Sequence, residues 1–326
     1  MLVKVLSFVA VLGGITLAIA VGLIFSQRPI DLPPGEGLDF TQTLNQKRAD
    51  PMAQSGVVMR DGYEAQVRRY DTSSEQAPLL ILLHGSGWHG LQFDPLAQDL
   101  SQVAQVVVPD LRGHGPKPGT RGDIAYINQF EDDLADLIKA EAASGQKVVL
   151  AGHSSGGGLV TRFAGGEHGH MVDAAVLVAP FLKHNAPMTR QNSGGWAYPL
   201  VRRLIGLSML NSVGITGLNH LTIMQFRMPQ VVLDGPLGHT ATTSYSYRLN
   251  RGFAPRSDYL ADVRALPPFT LIVGTQDEAF DAALYEPTLK EVTDKGQYTL
   301  IPDVGHLDIV TAPQTRAAIE SLINDL

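Results

Sequence analysis

Val148-Val149-Leu150-Ala151-Gly152-His153-Ser154-Ser155-Gly156 is the stretch that decides the fold. Its first four residues form a continuous apolar run, read as a strand buried on both faces. Leu159, Val160 and Phe163 beyond it have the look of a helix start. Between the two stands G-x-S-x-G, a turn so tight that the positions two residues either side of the serine must lack bulk. Gly152 and Gly156 satisfy this around Ser154. Centring the motif on Ser155 would put the imidazole of His153 where a glycine is needed. Ser154 is therefore the candidate nucleophile, with a glycine-rich helix start as the competing reading.

Working outward, short apolar strands are expected at 79–83, 106–108, 174–178, 270–273 and 298–301. An amphipathic helix is expected over 126–143, with Phe130, Leu134, Leu137 and Ile138 on one face. Strands alternating with helices predict an α/β fold, a mostly parallel sheet covered by helices on both sides. Asp61-Gly62, between alternating segments at 57–60 and 63–70, predicts an antiparallel hairpin at the start of the domain. About ninety residues separate Ala179 from Thr270, far more than the usual two to six of a strand–helix connection. Leu200, Val201, Leu204, Ile205, Leu207, Met209 and Leu210 surround Arg202 and Arg203 there. We therefore expect a mainly helical cap at 182–266, acting as a lid and splitting the core into 56–181 and 267–326.

The chain has 326 residues, a formal net charge of −7, 17% charged residues and no cysteine. So few charges beside 44% hydrophobic residues exclude general disorder, and the acidic balance gives no field for nucleic acid. Without cysteine there is no disulfide scaffold, thiol nucleophile or thiolate metal site. Residues 5–25 carry no charge and would span about 31 Å as a helix, the thickness of a bilayer core. Ala18-x-Ala20 offers a signal-cleavage site, but the apolar run continues through Phe25, which favours an uncleaved anchor over residues 1–28. Lys4 and the N-terminal amine on one side, against Arg28 on the other, place the N-terminus in the cytoplasm and the catalytic domain outside it. Pro29, Pro33 and Pro34 mark residues 29–55 as a spacer.

A serine hydroxyl needs a base, and the base needs a partner that fixes its tautomer. His306, after the last strand, is the candidate base, and Asp277, after the 270–273 strand, the candidate acid. Glu278 is the fallback acid, and Asp303 and Asp308 flank the base. His84 and His153 read as parts of glycine turns. His168-x-His170 has metal-ligand spacing but no evident third ligand. An oxyanion would be held by backbone N–H groups, one from Ser155 and one from the His84-Gly85-Ser86-Gly87 turn, with Ser86 preferred and Gly87 the alternative.

From about residue 56 onward the chain resembles an α/β-hydrolase of the monoacylglycerol lipase, lysophospholipase and serine aminopeptidase-like group. The resemblance rests on five strings in order: 84–87 as the oxyanion turn, 108–115 after the next strand, 152–156 as the elbow, 274–277 as the acid loop and 305–306 as the base loop. It implies cleavage of an ester, thioester or amide without metal or organic cofactor. The apolar cap and anchor point to a small acyl ester, lipid-like or otherwise apolar; the oligomeric state is not readable. A rival comes from Gly85-x-Gly87-x-x-Gly90 with Asp110 about twenty residues on, the pattern of an NAD(P)-binding oxidoreductase. It leaves Ser154, Asp277 and His306 unexplained. A membrane-tethered relative that only binds its ligand is the third reading, to which no residue points.

Overall fold

The computed structural model describes residues 1–33, 35, 37–41, 52–74 and 76–326. The chain opens with α1 (Leu2–Phe25), β1 (Gln54–Val58), β2 (Glu64–Tyr70), β3 (Leu79–Leu83), α2 (Asp94–Leu100) and β4 (Gln105–Pro109). Next come α3 (Gln129–Glu141), β5 (Val148–His153), α4 (Ser155–Ala164) and β6 (Ala174–Val178). The inserted stretch holds β7 (Ala197–Pro199), α5 (Val201–Ser212), β8 (Thr222–Phe226), α6 (Gln230–Leu233), β9 (Ser244–Ser246), α7 (Tyr247–Phe253) and α8 (Tyr259–Ala265). The core resumes with β10 (Phe269–Gly274), α9 (Tyr285–Lys290), β11 (Gly296–Ile301) and α10 (Pro313–Asn324).

Eight strands form one sheet in the order β1-β2-β4-β3-β5-β6-β10-β11. β2 runs antiparallel to β1 and to β4, and every other pairing is parallel. β3, β5, β6 and β10 are buried along their whole length, which is why they read as unbroken apolar runs. Each large side chain so buried contributes about 1.5–3 kcal/mol relative to exposure. Phe130, Leu134, Leu137 and Ile138 of α3 are all buried, while Glu131 and Asp132 in its first turn and Lys139 in its last complement the helix dipole. α2 and α10 pack on one another, and α4 packs on β5, β6 and α8. Gly62 makes the hairpin turn with φ +83°, a conformation that glycine adopts without strain.

The inserted stretch is mainly helical, as expected, and also carries a small sheet that was not expected. β7, β8 and β9 form their own antiparallel sheet in the order β7-β8-β9, and helices flank it. Strands of three to five residues are too short to show a period of two in sequence.

α1 is, among the described residues, the helix long and apolar enough to cross a membrane, with mean hydropathy 2.6 over Leu6–Phe25. As such it is a candidate membrane anchor or signal sequence. Its C-terminal end is docked on the cap. Ala20 and Ile24 are buried against Leu207, Leu210, Ile223 and Tyr247. A Cβ at Gly206 would lie 2.5 Å from the Ala20 carbonyl oxygen, so only glycine permits this helix approach. Arg203 Nε donates to the Ile24 carbonyl at 3.2 Å and an Arg202 Nη to that of Ser26 at 2.9 Å, placing cations at the negative end of the helix. The expected spacer also makes contacts: Leu38 is buried, and the backbones of Ile30 and Pro33 bond to Gln225 and Arg227 of the inserted stretch. Residues 34, 36 and 42–51 of that spacer fall outside the described residues.

Candidate active site

Ser154 stands between β5 and α4 with φ 54° and ψ −120°, a region that a residue with a Cβ enters only under strain. The elbow explains its glycines. A Cβ on Gly152 would stand 2.3 Å from the Gly156 carbonyl oxygen, and one on Gly156 would stand 2.2 Å from that of Leu83. The strain is held by backbone bonds on both sides: Ser154 N–H donates to Val178 O at 2.9 Å, and Ser154 O accepts from Gly158 N–H and Phe181 N–H.

His306 Nε2 lies 3.0 Å from Ser154 Oγ, and its Nδ1 lies 2.8 Å from Asp277 Oδ2. The carboxylate partner requires Nδ1 to carry the proton, which leaves the Nε2 lone pair facing the serine hydroxyl. Asp277 is fixed in turn, since its Oδ1 accepts from the N–H groups of Ala279 and Phe280, each at 2.8 Å. Both Asp277 and His306 are buried. Glu278, the fallback acid, points elsewhere: its Oε2 accepts from the His306 backbone N–H at 2.8 Å and its Oε1 from that of Asp39 at 3.2 Å. Asp303 and Asp308 make no hydrogen bond to the imidazole among the described residues.

The Ser86 and Ser155 N–H groups have no protein acceptor among the described residues, and both residues line space adjoining Ser154. Gly87, the alternative donor, is committed. Its N–H donates to the Tyr245 hydroxyl at 2.9 Å, and its φ of +81° is one that glycine tolerates. Tyr245 OH also lies 2.6 Å from His114 Nε2, and His114 Nδ1 lies 3.0 Å from the Arg112 carbonyl. The carbonyl makes Nδ1 the donor, so Nε2 accepts from Tyr245, and the phenol oxygen is left to accept from Gly87. Burial holds the His114 imidazole well below the usual histidine range, in keeping with this neutral tautomer.

A second chain joins the elbow to both neighbouring loops. His153 Nε2 donates to the His306 carbonyl at 2.8 Å, its Nδ1 accepts from Gln92 Nε2 at 3.1 Å, and Gln92 Oε1 accepts from Gly85 N–H at 3.2 Å. Burial, reinforced by the neighbouring His306, pushes His153 down to about 3, so it stays neutral and keeps this polarity. Sequence reading missed Gln92 and Tyr245, and took His153 and His84 for turn residues only. His84 Nε2 accepts from Leu111 N–H at 3.0 Å. His168 and His170 are occupied locally, the first stacked on Phe163 and the second bonded to the Glu167 carbonyl.

The dinucleotide reading is corrected by Asp110. Its carboxylate is buried against Arg68 at 2.9 Å and accepts from Gly90 N–H at 2.9 Å and Gln54 Nε2 at 2.6 Å, so it has no face open to a ribose. Gly90 is a glycine because a Cβ would meet Val108, Asp110 and Pro109 within 3.0 Å.

Two cavities meet at the serine. The larger, about 290 Å³, is walled mainly by apolar side chains, among them Leu38, Phe40, Trp88, Met228, Val232 and Leu237. The smaller, about 60 Å³, is lined by Phe181, Phe226, Phe253 and Phe280 with Asn250 and Ser193. Ser86, Ser154, Trp196 and His306 border both.

Known proteins agree with this architecture. An uncharacterized protein of Mycobacterium tuberculosis is 26% identical over 231 residues, and the match spans 64% of this chain and 64% of that relative, under two thirds of its length. A soluble variant of the Saccharomyces cerevisiae monoglyceride lipase superposes with a TM-score of 0.63 at 15% identity, covering 86% of this chain and 96% of that one. A bacterial membrane phospholipase A superposes with a TM-score of 0.57 at 16% identity, covering 99% of this chain and 97% of that one. The profile of the family described as "Alpha/beta hydrolase family" matches residues 80–319, well over half of the sequence. The sheet order, the serine elbow and that match together establish that this chain belongs to the alpha/beta hydrolase family.

Proposed function

We propose that the protein is a serine hydrolase that cleaves an apolar, lipid-like carboxylic ester through an acyl-enzyme. The observation that carries this reading is the hydrogen-bonded series Ser154–His306–Asp277 at the mouth of a largely apolar cavity of about 290 Å³. Ser154 Oγ attacks the acyl carbonyl while His306 Nε2 takes its proton. Asp277 holds the imidazole and stabilises its cation, and the N–H groups of Ser86 and Ser155 receive the oxyanion. His306 then protonates the leaving alcohol and later activates the water that releases the acid. The monoglyceride lipase and membrane phospholipase A likenesses support a lipid-like ester.

We further propose that α1 is retained as an anchor, with the catalytic domain on the extracytoplasmic side. Its docking on α5 supports retention, because Ala20, at the expected cleavage motif, is itself part of that contact. Exposed Val201, Ile205, Val213 and Ile215 on and just after α5, in a stretch without acidic residues, suit a cap resting at a membrane surface.

The test is covalent labelling by a fluorophosphonate together with a panel of acyl esters of graded length, plus one amide and one thioester. Labelling and ester cleavage that both disappear in Ser154→Ala are expected. A chain that neither reacts nor cleaves any member of the panel would sink the proposal in favour of a binding protein.

A further inference from the structure

The segment that follows α1 enters the catalytic site. Ile30 pairs both its backbone groups with the Gln225 side chain of β8, at 3.0 and 2.8 Å. The Pro33 carbonyl accepts from Arg227 at 3.4 Å. Gly37 then passes so close to Trp196 that a Cβ would lie 2.5 Å from its backbone nitrogen. Beyond it the residues divide: Leu38 and Phe40 both line the large cavity, while the Asp39 N–H between them donates to Glu278. Leu38 is 7% exposed, and the Phe40 ring lies 6.0 Å from that of Trp196. The other oxygen of Glu278 receives the His306 N–H, so one carboxylate anchors both this segment and the base loop.

We infer that Leu38 and Phe40 are specificity-determining residues, forming part of the wall of the acyl-chain cavity from a segment outside the sheet and the cap. The inference deepens the esterase reading and rests on it. An acyl chain that extends from Ser154 into the cavity meets these two side chains together with Val232 and Leu237 of the cap. The substrate class is then an ester whose acyl part is long enough to reach that wall. Each methylene buried there strengthens the interaction about fourfold, from about 0.8 kcal/mol per CH₂. A short acyl group stops before the wall and gains nothing from it. A domain cut free of residues 1–55 would keep Ser154, Asp277 and His306 and lose part of its substrate site.

The experiment uses the full chain in detergent, with p-nitrophenyl esters from acetyl to dodecanoyl. The readout is the ratio of kcat/KM for the long ester to that for the short one. Leu38→Ala with Phe40→Ala should lower this ratio about tenfold or more. Leu38→Trp, which fills the cavity without removing packing, should abolish the long ester while sparing the short. A ratio within twofold of wild type in both variants, with fluorophosphonate labelling retained, overturns the inference. A second arm measures binding of a fluorescent long-chain fatty acid to the Ser154→Ala chain, which needs no turnover. Binding weakened about tenfold by the Leu38 and Phe40 changes supports the wall even if the wild-type chain cleaves no ester. Unchanged binding overturns the wall whatever becomes of the esterase reading.

Discussion

Replacing Tyr245 by Phe removes one oxygen and strands two polar groups. The hydroxyl accepts from Gly87 N–H at 2.9 Å and donates to His114 Nε2 at 2.6 Å, and the phenol is 1% exposed, so water does not take over either role. A buried polar group left unsatisfied costs about 1–3 kcal/mol, so stranding two makes the expected loss of stability about 2–6 kcal/mol. For a domain of this size that is a fall in Tm of about 5–15 °C. The kinetic effect has a separate origin. Gly87 follows Ser86, whose N–H the mechanism assigns to the oxyanion, and a complete oxyanion donor is worth about 10²–10³ in kcat. Tyr245 acts on that donor through one peptide unit, so kcat should fall about ten- to a hundredfold while KM changes less than twofold. The assay is hydrolysis of a short ester, with sites counted by fluorophosphonate so that unfolded protein is excluded. A kcat within twofold of wild type per labelled site would refute the reasoning and leave Tyr245 a packing residue.

Three further outcomes are expected. Because Ser154 bears its Cβ at φ 54°, Ser154→Gly should be inactive yet more stable than Ser154→Ala by about 1 kcal/mol, the relief of about 1–3 kcal/mol of strain less the added freedom of the unfolded chain; urea melts giving the reverse order would remove strain from the account. Burial pushes His84 down to about 4 and His153 to about 3, so between about pH 6.5 and these values the unfolded chain binds more protons than the folded one. Stability from these two histidines is present above about pH 6.5 and lost on acidification, about 2 kcal/mol each at pH 5, and a urea midpoint flat from pH 7.5 to 5 would contradict it. Finally, Gly206→Leu should pry α1 from α5: in this cysteine-free chain, a thiol introduced by Ala20→Cys should react with maleimide at least tenfold faster in the Gly206→Leu background, and equal rates would disprove the docking.

What was legible in the sequence shares one property: its cause is local. The runs at β3, β5, β6 and β10 are apolar because both faces of those strands are covered, and Gly152 and Gly156 are glycines because the turn between β5 and α4 closes on itself. Ser154, Asp277 and His306 each follow a readable strand. The supporting contacts carry no such signature. Gly87 meets Tyr245 across 158 residues, His153 meets the His306 carbonyl across 153, and Asp39 meets Glu278 across 239. Each partner has an ordinary local explanation: Tyr245 as an aromatic in a loop-rich stretch, His153 as a turn residue, Leu38 and Phe40 as stray apolar positions among prolines. Glu278 is the instructive case. Its neighbour takes the imidazole, and sequence alone does not reveal that its own two oxygens hold the backbone of the base loop and of the segment beyond α1.

The pairing of β10 with β6 spans the whole cap, and this has a consequence for how the chain is made. Closing so long a loop is thermodynamically mild, since each doubling of its length costs about 0.6 kcal/mol. Kinetically it is demanding, because non-local parallel pairing is slow to form. During synthesis Ser154 is made long before Asp277 and His306, and β6 waits as an entirely apolar edge, unpaired on that side, until β10 arrives. The exposed edge of β6 is thus covered when β10 docks, while the Ser154–His306–Asp277 series is completed only later, once β11 has delivered His306.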